Sequence, residues 1–391
     1  MIMFGACSHR QWVTTTYPRW GEEFSLSRGH GQSPLTLRIS SPERRQRAEA
    51  CLLLLHGMNE YSGRYHEIAR HFARRFIVAG FDLSGHGLSN AYLDAADRAI
   101  ADGGRAYDVS DAFLAQRPLS DLEPMRADLD LVLRRLLLEC GGDKPLPVFI
   151  VSHSLGSLVA ASYLLSERGQ DQVRERIQGI VLLGPAFSVT RVPGWLGAFA
   201  NPVIRWSFAS EEWCAAERPA WMSANALTGL WALPSSMFLN GLFEVLSWPG
   251  LRQLFTPVTP VWVVNYLTDW EAERVRHRAD GYIIRRSLLR YVKGVEREIA
   301  RFRHRMRDLD VPYLVFYSAD DLITPAWGVR DFLERTHDRH PDNAVSCLQD
   351  KNHHEHLFSA PPLNREILQR IDAWIDRRLR AADSAARKSG P

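Results

Sequence analysis

Short continuous apolar runs, each closed by small or polar residues, recur in two separate parts of this chain. Cys51-Leu52-Leu53-Leu54-Leu55 ends at His56-Gly57, Phe76-Ile77-Val78-Ala79-Gly80-Phe81 ends at Asp82, and Val148-Phe149-Ile150-Val151 runs into Ser152. Ile180-Val181-Leu182-Leu183 follows, and Tyr313-Leu314-Val315-Phe316-Tyr317 and Ala344-Val345-Ser346-Cys347-Leu348 come much later. Runs of this length without polar alternation suit strands covered on both faces. Between them the period changes. Apolar residues at 122, 125, 129, 132, 133 and 136 predict a helix from about Leu122 to Glu139. Further helical patterns cover Ser157 to Glu167 and Leu363 to Leu379. Strands alternating with helices predict an α/β protein, with a mostly parallel central sheet and helices on both faces.

The stretch between the two parts reads differently. It holds eight of the 12 tryptophans, at 195, 206, 213, 221, 231, 248, 262 and 270, with frequent Pro and Gly. This enrichment marks it as a separate unit, an inserted and mainly helical cap over residues 191–308. The core then comprises a first part, 30–190, and a second part, 309–381. The cap's tryptophans are expected to fill its own core, with two or three reaching a site. The final Ala-, Ser- and Arg-rich residues are expected to fray.

A length of 391 residues suffices for a large core plus such an insertion. The formal net charge of +3 gives no support to a nucleic-acid partner. From Arg274 to Arg307 there are 12 Lys or Arg against three Asp or Glu. One reading is a surface that docks on anionic lipid, a peripheral membrane contact. The favoured reading is a solvated helix face balanced by acids elsewhere. Cys7, Cys51, Cys140, Cys214 and Cys347 are scattered without metal-ligand spacing. An odd, dispersed count fits buried thiols in a reducing, cytoplasmic compartment better than a disulfide framework. Met1 to Cys7 places small residues before a cysteine, as a lipoprotein cleavage site does, but lacks a basic start and an apolar stretch. An ordinary N-terminus is expected; the alternative is a start codon placed too late.

Chemistry concentrates where strands end. Ser152-His153-Ser154-Leu155-Gly156 lies between a strand and a helix, with small residues two before and two after Ser154. Such a turn lifts a serine hydroxyl above the sheet edge and packs strand tightly on helix. A serine hydroxyl needs a base, and the base an orienting acid. The late strand ending at Tyr317 leads to Asp320-Asp321, and the strand ending at Leu348 leads to His353-His354-Glu355-His356. Spacing alone leaves two acids and three histidines open. An acyl-transfer serine also needs oxyanion donors, for which the amides of Leu155 and Met58 stand in the right places. No metal or organic cofactor is required for this chemistry.

These segments resemble those of a known family. His56-Gly57-Met58-Asn59-Glu60-Tyr61-Ser62-Gly63-Arg64-Tyr65 is similar to the H-G-x-x-E-x-S-x-R-Y loop of monoacylglycerol lipases and bacterial lysophospholipases. Asp82-Leu83-Ser84-Gly85-His86-Gly87-Leu88-Ser89 matches their D-x-x-G-H-G-x-S segment. The run from His354 to Phe358 looks like the family's histidine loop, which implies His354 as base. Counting from Pro312 implies Asp321 as acid. The resemblance spans roughly 50–90, 120–190 and 310–380, and it implies an α/β-hydrolase fold with a small-molecule lipid ester as substrate, acting in the cytoplasm or at the membrane periphery of a bacterial-type cell. Departures are Ser152 and Ser318 at positions where glycine is common, an insertion around 91–121 and a poorly matching cap.

Ser154 is therefore expected to be the nucleophile of a carboxylic-ester hydrolase for lysophospholipid or monoacylglycerol. Its rivals are an esterase or amidase for small non-lipid substrates and a non-catalytic binding protein of the same fold. Epoxide hydrolase and dehalogenase chemistry is disfavoured, because an Asp would stand at position 154. His56 and His86 precede the serine, so they are expected to brace loops. Arg64 is expected to pair with Glu60 or Asp82.

Overall fold

The computed structural model describes residues 10–29, 33–141, 145–170, 172–188, 261–318, 321, 323–348 and 354–388, with a few positions between 241 and 248. Its strands are β1 (Trp12–Val13), β2 (Glu22–Leu26), β3 (Leu35–Ser40), β4 (Cys51–Leu55), β5 (Ile77–Phe81), β6 (Tyr107–Asp108), β7 (Val148–His153), β8 (Ile177–Leu183), β9 (Tyr313–Ser318) and β10 (Ala344–Leu348). Eight of them form one sheet in the order β10-β9-β8-β7-β4-β5-β3-β2. From β10 to β5 every pairing is parallel, while β3 and β2 add on antiparallel. β1 and β6 form a separate antiparallel pair. The edge strand β2 lies ahead of residue 30, so the sheet takes in more of the N-terminal region than the apolar runs indicate.

The continuous apolar runs are explained by the two faces they serve. Leu53 and Leu55 of β4 join one buried cluster, with Ile150, Leu158 and Leu133. Leu52 and Leu54 join the other, with Phe149, Phe72 and Trp374. A strand with packing on both sides has no polar face to present. The helices are α1 (His66–Phe72), α2 (Ala91–Ala101), α3 (Glu123–Glu139), α4 (Leu155–Leu164), α5 (Gln172–Arg176), α6 (Glu271–Ala279), α7 (Leu289–Arg305), α8 (Ala326–Thr336) and α9 (Leu363–Lys388). α3 starts where Pro124 occupies the first turn, a position whose N–H has no helical partner in any case. α3 and α4 cover the first face, and α1 and α9 cover the second. α9 buries Ile367, Ile371, Trp374 and Ile375 along one stripe. It also continues through Lys388, where a frayed tail was expected. The Ala, Arg and Lys of that stretch are strong helix formers and extend a helix already anchored.

Most of the expected cap, 189–240 with Trp195, Trp206, Trp213, Trp221 and Trp231, lies outside the described residues. Its last part contributes α6 and α7. α7 packs on α4, with Tyr291, Val295, Ile299 and Phe302 buried in the first core cluster. Its arginines mostly meet acids: Arg301 pairs with Glu298, Arg303 with Asp331 and Arg305 with Asp308. Among the described residues no helix is long and apolar enough to cross a membrane.

The cysteines correct the expectation of free thiols. Cys51 on β4 and Cys140 after α3 are joined by a disulfide, with Cα atoms 6.3 Å apart and a sequence separation of 89. Cys347 is disulfide-bonded as well. The spacing hid the first pair because only the packing of α3 across β4 brings its ends together. Closing a loop of this length stabilises by about 2–5 kcal/mol. The double substitution Cys51→Ser, Cys140→Ser is therefore expected to lower the urea midpoint clearly. An unchanged midpoint would show that the bond contributes nothing.

Candidate active site

Parallel strands of a sheet like this one leave their C-terminal ends on one edge, and ligands bind in the crevice there. The loops after β4, β7, β9 and β10 all open on that edge. Ser154, directly after β7, has φ 50° and ψ −117°, a left-handed conformation that a side chain adopts only when its surroundings enforce it. Here the Ser154 amide donates to Leu183 O at 2.9 Å, and Ser154 O accepts from the Ala186 amide at 3.1 Å. Gly156 makes the turn possible. A Cβ there would stand 2.5 Å from His56 O, so any larger residue would push α4 away from the β4 loop. Ser152 is accommodated because its hydroxyl donates to Val181 O at 2.9 Å.

The structure brings three of the predicted residues into one hydrogen-bonded series. His354 Nε2 lies 2.9 Å from Ser154 Oγ, and His354 Nδ1 lies 2.7 Å from Asp321 Oδ2. All three side chains are buried. Burial alone would lower the His354 pKa, but the charge and hydrogen bond of Asp321 outweigh it, and the imidazole is raised above its ordinary value. Burial would likewise raise Asp321; His354 and the Thr324 amide hold it below the usual carboxylate range. Asp321 Oδ1 accepts from the amides of Ile323 (2.8 Å) and Thr324 (2.9 Å), and Thr324 Oγ1 donates to Oδ2 at 2.8 Å. The alternatives Asp320 and His353 lie outside the described residues. His356 is buried close enough to influence Asp321, yet the bond to Ser154 belongs to His354.

Met58 follows β4 and lines the same cavity as Ser154. Neither its amide nor that of Leu155, the first residue of α4, donates a backbone hydrogen bond to a described residue. An amide at a helix start, as at Leu155, suits a developing negative charge. Gly57 is needed between them, because a Cβ there would lie 2.7 Å from Glu60 Oε1 and 3.0 Å from Ser154 Cβ. His56 and His86 brace loops. His56 Nε2 accepts from the Leu83 amide at 2.9 Å, so its Nδ1 carries the proton and donates to Gly57 O at 2.8 Å. His86 Nδ1 contacts Ser84 O at 2.9 Å.

Sequence reasoning missed a buried charge cluster behind this loop. Arg64 bonds Glu60 (2.6 Å), Glu273 (2.9 Å) and both oxygens of Glu355 (3.1 and 3.0 Å). The Asp82 alternative is excluded, since Asp82 is taken by Tyr17 OH and the amides of Ser62 and Leu88. Glu60 Oε1 in turn accepts from the Gly57 amide at 2.6 Å and contacts His153 Nδ1 at 2.7 Å. The cluster therefore ties the loop after β4, through Glu60, to the loop that carries His354, through Glu355. Two further members come from α6 and the residues after it: His277, whose Nε2 is 3.7 Å from Glu355, and Arg285. Periodicity marks a helix face but not which of many arginines turns inward.

A cavity of about 270 Å³ opens over Ser154. Met58, Leu267, Ile283, Ile284 and Ile323 form its apolar side, and Glu60, His277, Arg285 and Glu355 its polar side. Trp248 and Trp270 are not among its lining residues. A larger groove of about 780 Å³ lies by the β3–β4 connection and contains none of the candidate residues.

Comparisons with known proteins agree with this fold. A family profile described as serine aminopeptidase, S33, matches residues 46–357. A soluble variant of monoglyceride lipase from Saccharomyces cerevisiae, solved with a substrate analogue, is similar at 15% identity. The match covers 94% of this chain and 97% of that one, with a TM-score of 0.63. Monoacylglycerol lipase from Paleococcus ferrophilus matches at 19% identity over 88% and 99% of the two chains, with a TM-score of 0.56. A carboxyl esterase from Bacillus coagulans, bound to glycerol, matches at 16% over 92% and 98%, also at 0.56. No curated protein sequence matches the chain. At these identities the likeness to the solved structures is one of fold.

Proposed function

Since the chain belongs to the serine aminopeptidase S33 family of α/β-hydrolases, we propose that it hydrolyses carboxylic esters of single-acyl-chain lipids, lysophospholipids or monoacylglycerols, with Ser154 as nucleophile. The observation that carries this reading is the series Ser154–His354–Asp321, at 2.9 and 2.7 Å. His354 takes the Ser154 proton as Oγ attacks the ester carbonyl carbon. The Met58 and Leu155 amides hold the oxyanion, each donor worth about 10²–10³-fold in rate. When the intermediate collapses, His354 gives its proton to the leaving alcohol. Water, deprotonated by His354, then attacks the acyl carbon and releases the carboxylic acid from Ser154.

Two things support an acyl-lipid substrate. The loop from His56 to Tyr65 resembles that of monoacylglycerol lipases, and two of the similar folds belong to enzymes so named. The apolar side of the cavity could take the start of an acyl chain. The peptidase description of the family favours a second reading, in which the scissile bond is an amide.

The test is a hydrolysis panel of one-chain esters of increasing acyl length, with amino-acid anilides alongside. A methylene that enters an apolar site contributes about 0.8 kcal/mol, roughly a fourfold gain. The expected result is a kcat/KM that climbs steeply from short to long acyl chains. A flat or falling profile would remove the lipid substrate, and preferential turnover of anilides would install the amidase in its place.

A further inference from the structure

On the polar side of the cavity stands Arg285, a cation that makes no direct salt bridge to a described residue. Arg285 hydrogen-bonds through Nη1 to His277 Nδ1 at 3.0 Å and through Nη2 to His277 O. It forms no ion pair with any described residue, unlike Arg64 in the same cluster. The acids near it are Asp280 and Glu355. Asp280 is engaged by Tyr61 OH at 2.7 Å and the Tyr282 amide at 2.9 Å, and burial raises its pKa. Burial pushes His277 down to about 4, so the ring is uncharged near neutral pH, and its Nδ1 accepts the guanidinium proton. The two carboxylates lining the same cavity are occupied: Glu355 by both ends of Arg64, Glu60 by Arg64, the Gly57 amide, His153 and Tyr65. Burial also lowers Arg285, but a guanidinium stays protonated throughout the accessible range.

From this we infer that Arg285, positioned by His277, is an anion-binding subsite of the Ser154 cavity, which selects esters carrying a phosphate or carboxylate close to the scissile bond. The inference rests on the ester-hydrolase reading and narrows it. Arg285 makes two hydrogen bonds with a fork that can make five, which leaves donors for the planar, two-pronged contact that such oxyanions accept. The neutral imidazole is well suited to hold it. An acid in that place would orient the guanidinium but cancel its charge, whereas His277 orients it and leaves the charge for the substrate. A substrate ammonium group, as an aminopeptidase would bind, meets repulsion at this position.

The test uses competition first. Hydrolysis of a neutral short aryl ester is followed with glycerol, glycerate and glycerol 3-phosphate as inhibitors. The expected result is competition by one or both anions and not by glycerol, and which anion binds tighter separates phosphate from carboxylate. Arg285→Gln should raise that inhibition constant about 10- to 100-fold, the span of a charge-assisted hydrogen bond. Arg285→Lys should recover part of it. Absence of competition, or an inhibition constant indifferent to both substitutions, overturns the subsite. The second measurement is the ratio of kcat/KM for a 1-acylglycerol 3-phosphate to that for the matching 1-acylglycerol. It should exceed one and collapse in Arg285→Gln through KM; a fall shared equally by both esters would make Arg285 merely structural and overturn the inference. Anion competition that depends on Arg285, with neither lipid hydrolysed, would instead remove the lipid substrate and leave the subsite standing.

Discussion

Replacing Ser154 with Ala is expected to lower kcat on every ester by about 10⁶-fold and to abolish labelling by a fluorophosphonate probe. The size of the effect follows from what remains. The oxyanion amides and the cavity still bind substrate, but no atom is left to form the acyl-enzyme. The fold should be untouched. Alanine keeps the Cβ that the turn already accommodates at φ 50°, and the bonds that hold the turn are made by the backbone, to Leu183 and Ala186. His354 loses one partner and keeps Asp321 and its amide bond to Leu267 O at 2.9 Å. A variant with a native unfolding midpoint and no labelling thus separates chemistry from stability. Retained labelling would sink Ser154 as the nucleophile, whatever substrate the wild type prefers.

What the amino-acid order disclosed, and what it hid, follows one physical line. β4, β7 and β9 were legible because packing on both faces forces an unbroken apolar run, and α3 and α9 because a single buried stripe forces a 3.6-residue period. β2 was not, since an edge strand of mixed Glu, Ser and Phe has one solvated side and little pattern. The hydrogen-bonded series proposed as nucleophile, acid and base was legible to the nearest neighbour, because each member stands just after a strand, and chain order ranks them. Choosing Asp321 over Asp320 and His354 over His353 needed a resemblance, as adjacent residues share every signal except direction. Arg64, Glu273, His277 and Arg285 were hidden for a different reason. Their meaning lies in contacts between separate segments, Arg64 with Glu273 across 209 residues and His277 with Glu355, and an arginine buried in such a cluster has the same local pattern as one in water. The Cys51–Cys140 bond was hidden in the same way.

Asp321→Asn is expected to lower kcat by about 10⁴-fold while leaving substrate binding largely in place. The cause can be traced atom by atom. Oδ1 of residue 321 must keep accepting from the Ile323 and Thr324 amides, so the amide group of an asparagine is forced into the place of Oδ2, facing His354. There it donates, and His354 Nδ1 must accept. The ring proton moves to Nε2, the atom that has to receive the Ser154 proton, and the base is blocked by its own tautomer. The pH profile gives a second, independent sign. Activity needs the unprotonated ring, so it is lost as pH falls through the His354 pKa. In the wild type burial lowers that pKa but Asp321 lifts it above the ordinary imidazole value. Without the carboxylate the largest of the raising influences is gone, leaving burial opposed only by the more distant Glu355 and Glu60, so the acid limb of kcat/KM should move to lower pH even as the plateau drops. Asp320→Asn serves as the comparator, expected to keep both plateau and limb. A collapse in that variant with a working Asp321→Asn would transfer the role to Asp320. A collapse in Asp321→Asn with an unmoved limb would mean that residue 321 holds the loop together without setting the charge on His354.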